Sequence, residues 1–97
     1  MHGSLVIIAR ARARQGFEEQ MITAQKTLVT LSREAPGCLS YELFVSVQDP
    51  GLVTFFERWE SATAWRAHMQ GDAIRAFRQT AGHCIGEFEL DEMHQVA

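Results

Sequence analysis

The stretch FFERWESATAWRAHMQGDAIRAF, residues 55–77, runs an aromatic, β-prone segment straight into a helical one, and its reading decides the fold. Successive strand side chains point to opposite faces, so Phe55, Glu57 and Trp59 share one face, with Val53 just upstream extending it. Ser61 is a good N-cap for ATAWRAHM. Gly71 interrupts, Asp72 is placed to cap AIRAFRQTA, and Gly82 ends this second helical piece. Trp65, His68 and Met69 share one face of the first piece. If the strand face meets that helix face, Glu57, Trp59 and His68 fall in one pocket wall. An inward carboxylate on an aromatic strand costs several kcal/mol unless it is paired or wet, so Glu57 is the clue to a polar site.

Working outward, CLSYELFVS (38–46) sets Leu39, Tyr41, Leu43 and Val45 against Ser40, Glu42 and Ser46. Asp49-Pro50-Gly51 is a turn signal before LVTFFERWE, so the two segments read as a hairpin. Nearer the N-terminus, LVIIARARAR (5–14) has the alternation of a strand and Gly16 breaks it. In FEEQMITAQKTLVTLSREA (17–35), Phe17, Met21, Ala24, Leu28, Leu31 and Ala35 recur at helical spacing. Glu18 and Glu19 suit the first turn, and Pro36-Gly37 stops the helix. HCIGEFELDEM (83–93) sets Gly86, Phe88 and Leu90 against Glu87, Glu89 and Asp91 as a last strand.

The order βαββαβ predicts an α+β, ferredoxin-like fold: a four-stranded antiparallel sheet in spatial order 4-1-3-2 with the helices on one face. Strand one then turns Ile7, Ala9 and Ala11 towards the helices and Arg10, Arg12 and Arg14 away from them. Glu87, Glu89 and Asp91 on the adjacent strand answer those arginines.

A chain of 97 residues reads as a single domain, residues 1–97, that buries roughly 60–65% of its unfolded surface. With 46% hydrophobic and 22% charged residues its composition is that of a globular protein. A formal charge of −3 argues against a chain-wide hold on nucleic acid or anionic lipid. The topology is shared with RNA-recognition modules, and Phe44 and Phe56 could stack bases, but the basic-glycine-aromatic run of those modules is missing. No apolar run approaches the roughly 18 residues of a membrane span, and Met1 to Leu5 lacks the start of a secretory signal; a cytoplasmic protein is expected. Cys38 and Cys84 are too few for a disulfide framework and would sit on opposite edges of the sheet, so both are expected as free thiols.

Glu57-x-Trp59-x-Ser61 followed by Ala64 and His68, together with IIARARARQG, EAPGCLSYEL and the Asp-Pro turn, resembles the antibiotic biosynthesis monooxygenase family of the dimeric α+β barrel superfamily. The resemblance covers nearly the whole chain. It implies a homodimer packed sheet to sheet, with a pocket between sheet and helices in each subunit, and a small cofactor-independent monooxygenase acting on an electron-rich phenol or quinol. In such a pocket His68 would be the general base, and Glu57 would orient or tune a polar partner beside Trp59. Trp59, Trp65, Phe55 and Phe77 would hold the aromatic ring, while Tyr41 or Arg78 would steady a developing oxyanion.

The chain departs from relatives at several positions. Ala73 stands where many carry a second histidine, and Phe55 where one polyketide-oxygenase pattern has asparagine. Ala9 and Arg78 stand where the haem-degrading branch has an asparagine and a haem-ligating histidine. His68 and Asp72 are four apart but lack a third local ligand. No cofactor and no metal are therefore expected. The rival readings are a non-catalytic small-molecule-binding or structural dimer of the same fold, and an isomerase of a small phosphorylated sugar.

Overall fold

A computed structural model describes residues 4–97; the reading of a missing signal at Met1 to Leu5 falls partly outside that range. The elements are β1 (Leu5–Ala13), α1 (Glu18–Ser32), β2 (Cys38–Val45), β3 (Leu52–Trp59), α2 (Ala62–Met69), α3 (Asp72–Ala81), a 3-10 turn (Gly82–Cys84) and β4 (Ile85–Met93). The strands form one sheet in the order β2-β3-β1-β4 with every neighbouring pair antiparallel, the expected ferredoxin-like arrangement. Among the described residues no helix is long and apolar enough to cross a membrane.

Alternation holds where it was strictest. Ile7, Ala9, Ala11 and Ala13 of β1 and Val53, Phe55, Glu57 and Trp59 of β3 are all buried beneath the helices. The alanines matter for function, because Ala9 lies directly between Phe55 and Leu90 on the neighbouring strands and leaves a low spot in the middle of the sheet. On the outer face Arg12 pairs with Asp49 and, at 3.5 Å, with Glu87. Arg10 has Glu89 opposite it in register. These groups are largely exposed, so the pairs add little stability.

Four details differ from the pattern read in the sequence. In α1 the buried polar residues are Gln25 and Ser32, while Leu31 is 48% exposed, so the stripe facing the sheet runs through Met21, Gln25, Leu28, Val29 and Ser32. In β2 the register shifts between Cys38 and Ser40, and the extra residue Leu39 turns out to solvent while Cys38 packs on the core. A bulge of this kind reverses the facing of every residue before it. Asp72 does not cap α3: Gly71 occupies the cap position, and the Asp72 carboxylate pairs instead with Arg75 one turn on. Phe88 is 54% exposed because the helical layer thins out over β4.

The connections that fix the two layers are specific. Ser61 caps α2, its hydroxyl accepting from Ala64 N at 3.1 Å. Gly37, between α1 and β2, has φ of 84°, and a Cβ there would lie 2.5 Å from that of Ala64. Its carbonyl accepts from Glu60 N at 2.8 Å, which ties the end of β3 to the α1–β2 turn. Cys38 and Cys84 are free thiols.

Candidate active site

A cavity of about 300 Å³ lies between the layers. Its sheet wall comprises Ala9, Tyr41, Phe55, Glu57, Phe88 and Leu90, and its helical wall Gln25, Leu28, Met69, Ile74, Phe77 and Arg78. Both alanine at position 9 and the thin cover over β4 leave room here, so the cavity sits above the low spot in the sheet and opens towards Phe88 and Arg78. Its walls are chiefly apolar, with a few convergent polar groups, the composition expected of a small-molecule site at the low end of the usual ~300–1,000 Å³.

Glu57 is the central polar group. It is 5% exposed, and its Oε1 accepts from Trp59 Nε1 at 2.9 Å. Burial raises its pKa to about 7, with the hydrogen bond from Trp59 and the nearby Tyr41 hydroxyl limiting the rise. A carboxyl so poised can take or give a proton near neutral pH. The Tyr41 hydroxyl interacts with both Ser32 and Glu57; burial and then the Glu57 charge push its pKa up, so it stays protonated and serves as a donor.

His68 is also buried, but it lies behind this wall. Its Nε2 is 3.3 Å from Ser32 Oγ, its ring lies 4.8 Å from that of Trp59 at a 31° tilt, and Tyr41 meets it edge-on at 5.8 Å. Burial lowers its pKa, keeping the imidazole neutral. It borders a separate surface groove with Gly71 and Ala73, not the cavity. Trp59, fully buried, and Trp65, 8% exposed, likewise stand outside the cavity lining.

The structure thus brings together Glu57, Tyr41, Phe55, Phe77 and Arg78 around one space. His68, Trp59 and Trp65 form the packed layer beside it, because α2 leans its histidine onto the Trp59 ring and fills that end of the interface. Gln25 is the polar cavity residue that the sequence reading passed over. Its spacing, four after Met21 and three before Leu28, fits the buried helix face, but Ala24 beside it fits an apolar stripe equally well. Among the described residues no group of three metal-ligating side chains is clustered.

This architecture, a four-stranded antiparallel sheet covered by helices, matches that of a solved antibiotic biosynthesis monooxygenase. The chain belongs to that family, whose description "Antibiotic biosynthesis monooxygenase" matches residues 4–80. It is similar to the crystal structure of PA3566 from Pseudomonas aeruginosa, with a TM-score of 0.93 and 26% identity over 100% of this chain and 98% of that one. It is similar also to protein SO0527 from Shewanella oneidensis, with a TM-score of 0.89 and 31% identity over 98% of this chain and 93% of that one. An uncharacterized protein of Synechocystis is 27% identical over 93 residues; the match takes in 96% of this chain and spans 63% of that protein's length.

Proposed function

We propose that the chain is a cofactor-independent monooxygenase of an electron-rich phenol or quinol, with Glu57 as the base. The observation that carries this reading is a buried carboxyl with a pKa of about 7 on the wall of a chiefly apolar, ring-sized cavity. Membership of the monooxygenase family supports the reaction class.

Glu57 takes the proton of the ring hydroxyl, and the resulting phenolate is electron-rich enough to reduce dioxygen itself. Oxygen adds at the activated ring carbon as a peroxide, Glu57 returns its proton to the outer oxygen, and the O–O bond breaks as the ring C–H proton is lost. One oxygen atom becomes the new carbonyl and the other leaves as water; the substrate supplies all four electrons, so none is needed from elsewhere. Phe55 and Phe77 flank the ring and keep water away, while Tyr41 donates to the developing anion. Arg78, exposed at the mouth, supplies positive charge there. His68, the first choice from the sequence, becomes a positioning residue: it backs Trp59, whose indole N–H holds the Glu57 carboxylate.

The working unit we propose is a cytoplasmic homodimer packed through the outer sheet face. Labelled dioxygen tests the reaction. With dihydroxyaromatic substrates, one labelled atom is expected in the product and one in water. Oxygen uptake no faster than in buffer across a panel of phenols and quinols would contradict the reading.

A further inference from the structure

Gln25 is wholly buried, borders the cavity, and has neither its Nε2 nor its Oε1 paired with any protein group among the described residues. Buried amides in native proteins almost always find partners, because leaving both ends unpaired carries the desolvation penalty with no return. Its neighbours along α1 show what the helix could have used instead: Met21 and Leu28 fill the positions one turn either side with apolar groups. An apolar side chain at position 25 would complete that stripe. The amide is therefore a feature to be explained by what enters the cavity.

A primary amide presents one donor and one acceptor side by side in a single plane. The complementary edge is another adjacent acceptor and donor, such as two hydroxyls, or a hydroxyl and a carbonyl, on neighbouring carbons of a ring. We propose that Gln25 is the specificity-determining residue of the cavity and selects aromatic ligands with vicinal oxygen substituents over those with the same substituents far apart. The inference rests on the cavity being the substrate site. Gln25 fixes which edge of the ring enters first, and Glu57, on the opposite wall, then meets one of the two hydroxyls.

Binding is measured by calorimetry without oxygen, so that no turnover intervenes. The ligands are a naphthalenediol with hydroxyls on adjacent carbons, its isomer with one hydroxyl on each ring, and the single-hydroxyl naphthol. The unmodified protein is expected to bind the vicinal diol about tenfold more tightly than either comparator, the value of roughly one well-made hydrogen bond beyond those the comparators can make. Gln25→Leu should abolish the preference while melting at or above the temperature of the unmodified protein. Gln25→Met serves in its place if the leucine variant does not fold. Equal affinities in the unmodified protein, a preference that survives the substitution, or no binding of any of the three would overturn the inference. A Gln25-dependent preference without oxygen uptake in air would instead sustain it while refuting the oxygenase reading.

Discussion

Glu57 carries opposite consequences for stability and for chemistry. Its pKa is about 7 in the fold and 4.5 for the free side chain, so the folded state holds the proton more tightly than the unfolded one. Its contribution is therefore most favourable below about pH 4.5 and is lost as pH rises through about 7, an overall change of about 3 kcal/mol at ~1.4 kcal/mol per unit. His68 acts in the other direction: its lowered pKa gives stability above its ordinary range that is lost in acid. Comparing variants separates the two. Denaturant titrations of the unmodified protein and Glu57→Gln should show the variant gaining about 2–3 kcal/mol relative to the parent between pH 5 and pH 8; curves that stay parallel would contradict the buried-carboxyl account. His68→Ala should lower kcat/KM by less than the 10²–10⁴-fold typical of a lost general base, and should shift the midpoint of its pH profile because Glu57 loses the ring backing Trp59. At this scale Glu57 was legible, since strict alternation on an aromatic strand left it no outward option. Gln25 and Ser32 were not, because Ala24 and Leu31 offer an apolar stripe of equal periodicity, and only the angle at which α1 meets the sheet decides between the two.

The elements are held in register by a few close approaches. At Gly37 two independent penalties coincide: a left-handed φ of 84° and a Cβ that would strike that of Ala64. Gly37→Ala should cost about 2–4 kcal/mol, the sum of the backbone term and displacement of α2. Gly16, with φ of 91° and open space around it, should cost only the backbone term of about 1–2 kcal/mol when changed to alanine. Thermal melts of the two variants test this directly; equal losses would show that the approach of Ala64 carries no weight. The break between α2 and α3 was readable from Gly71, and the hairpin from Asp49-Pro50-Gly51, because glycine and proline act locally. The bulge at Leu39 was not, since a leucine fits an alternating strand equally well in either facing, and the shift is defined only by pairing with Arg58 and Trp59 across β3.

For the whole molecule, the order of elements was enough to give the sheet topology, because crossover rules leave few ways to arrange βαββαβ. The outer face was less legible. Of the apolar residues that alternation turns to that face, Val6 is 7% exposed in the single chain, and Arg58 lies 5.2 Å over the Phe56 ring. What remains open on that face centres on Phe44, 53% exposed, with Ile8 and Phe56 partly covered. A dimer through this face should run as twice the chain mass in light scattering at micromolar concentration, and Phe44→Asp should shift it towards monomer; a monomeric parent would refute the assembly. The cavity reading stands or falls on Glu57. The most direct test is kcat/KM for oxygen uptake against pH, using the best diol substrate. Expected is a limb that rises with pH through a midpoint near 7 as the carboxylate forms, together with a loss of 10²–10⁴-fold in Glu57→Gln. A profile flat through that range, or a Glu57→Gln variant that turns over at the parent's rate, would contradict it.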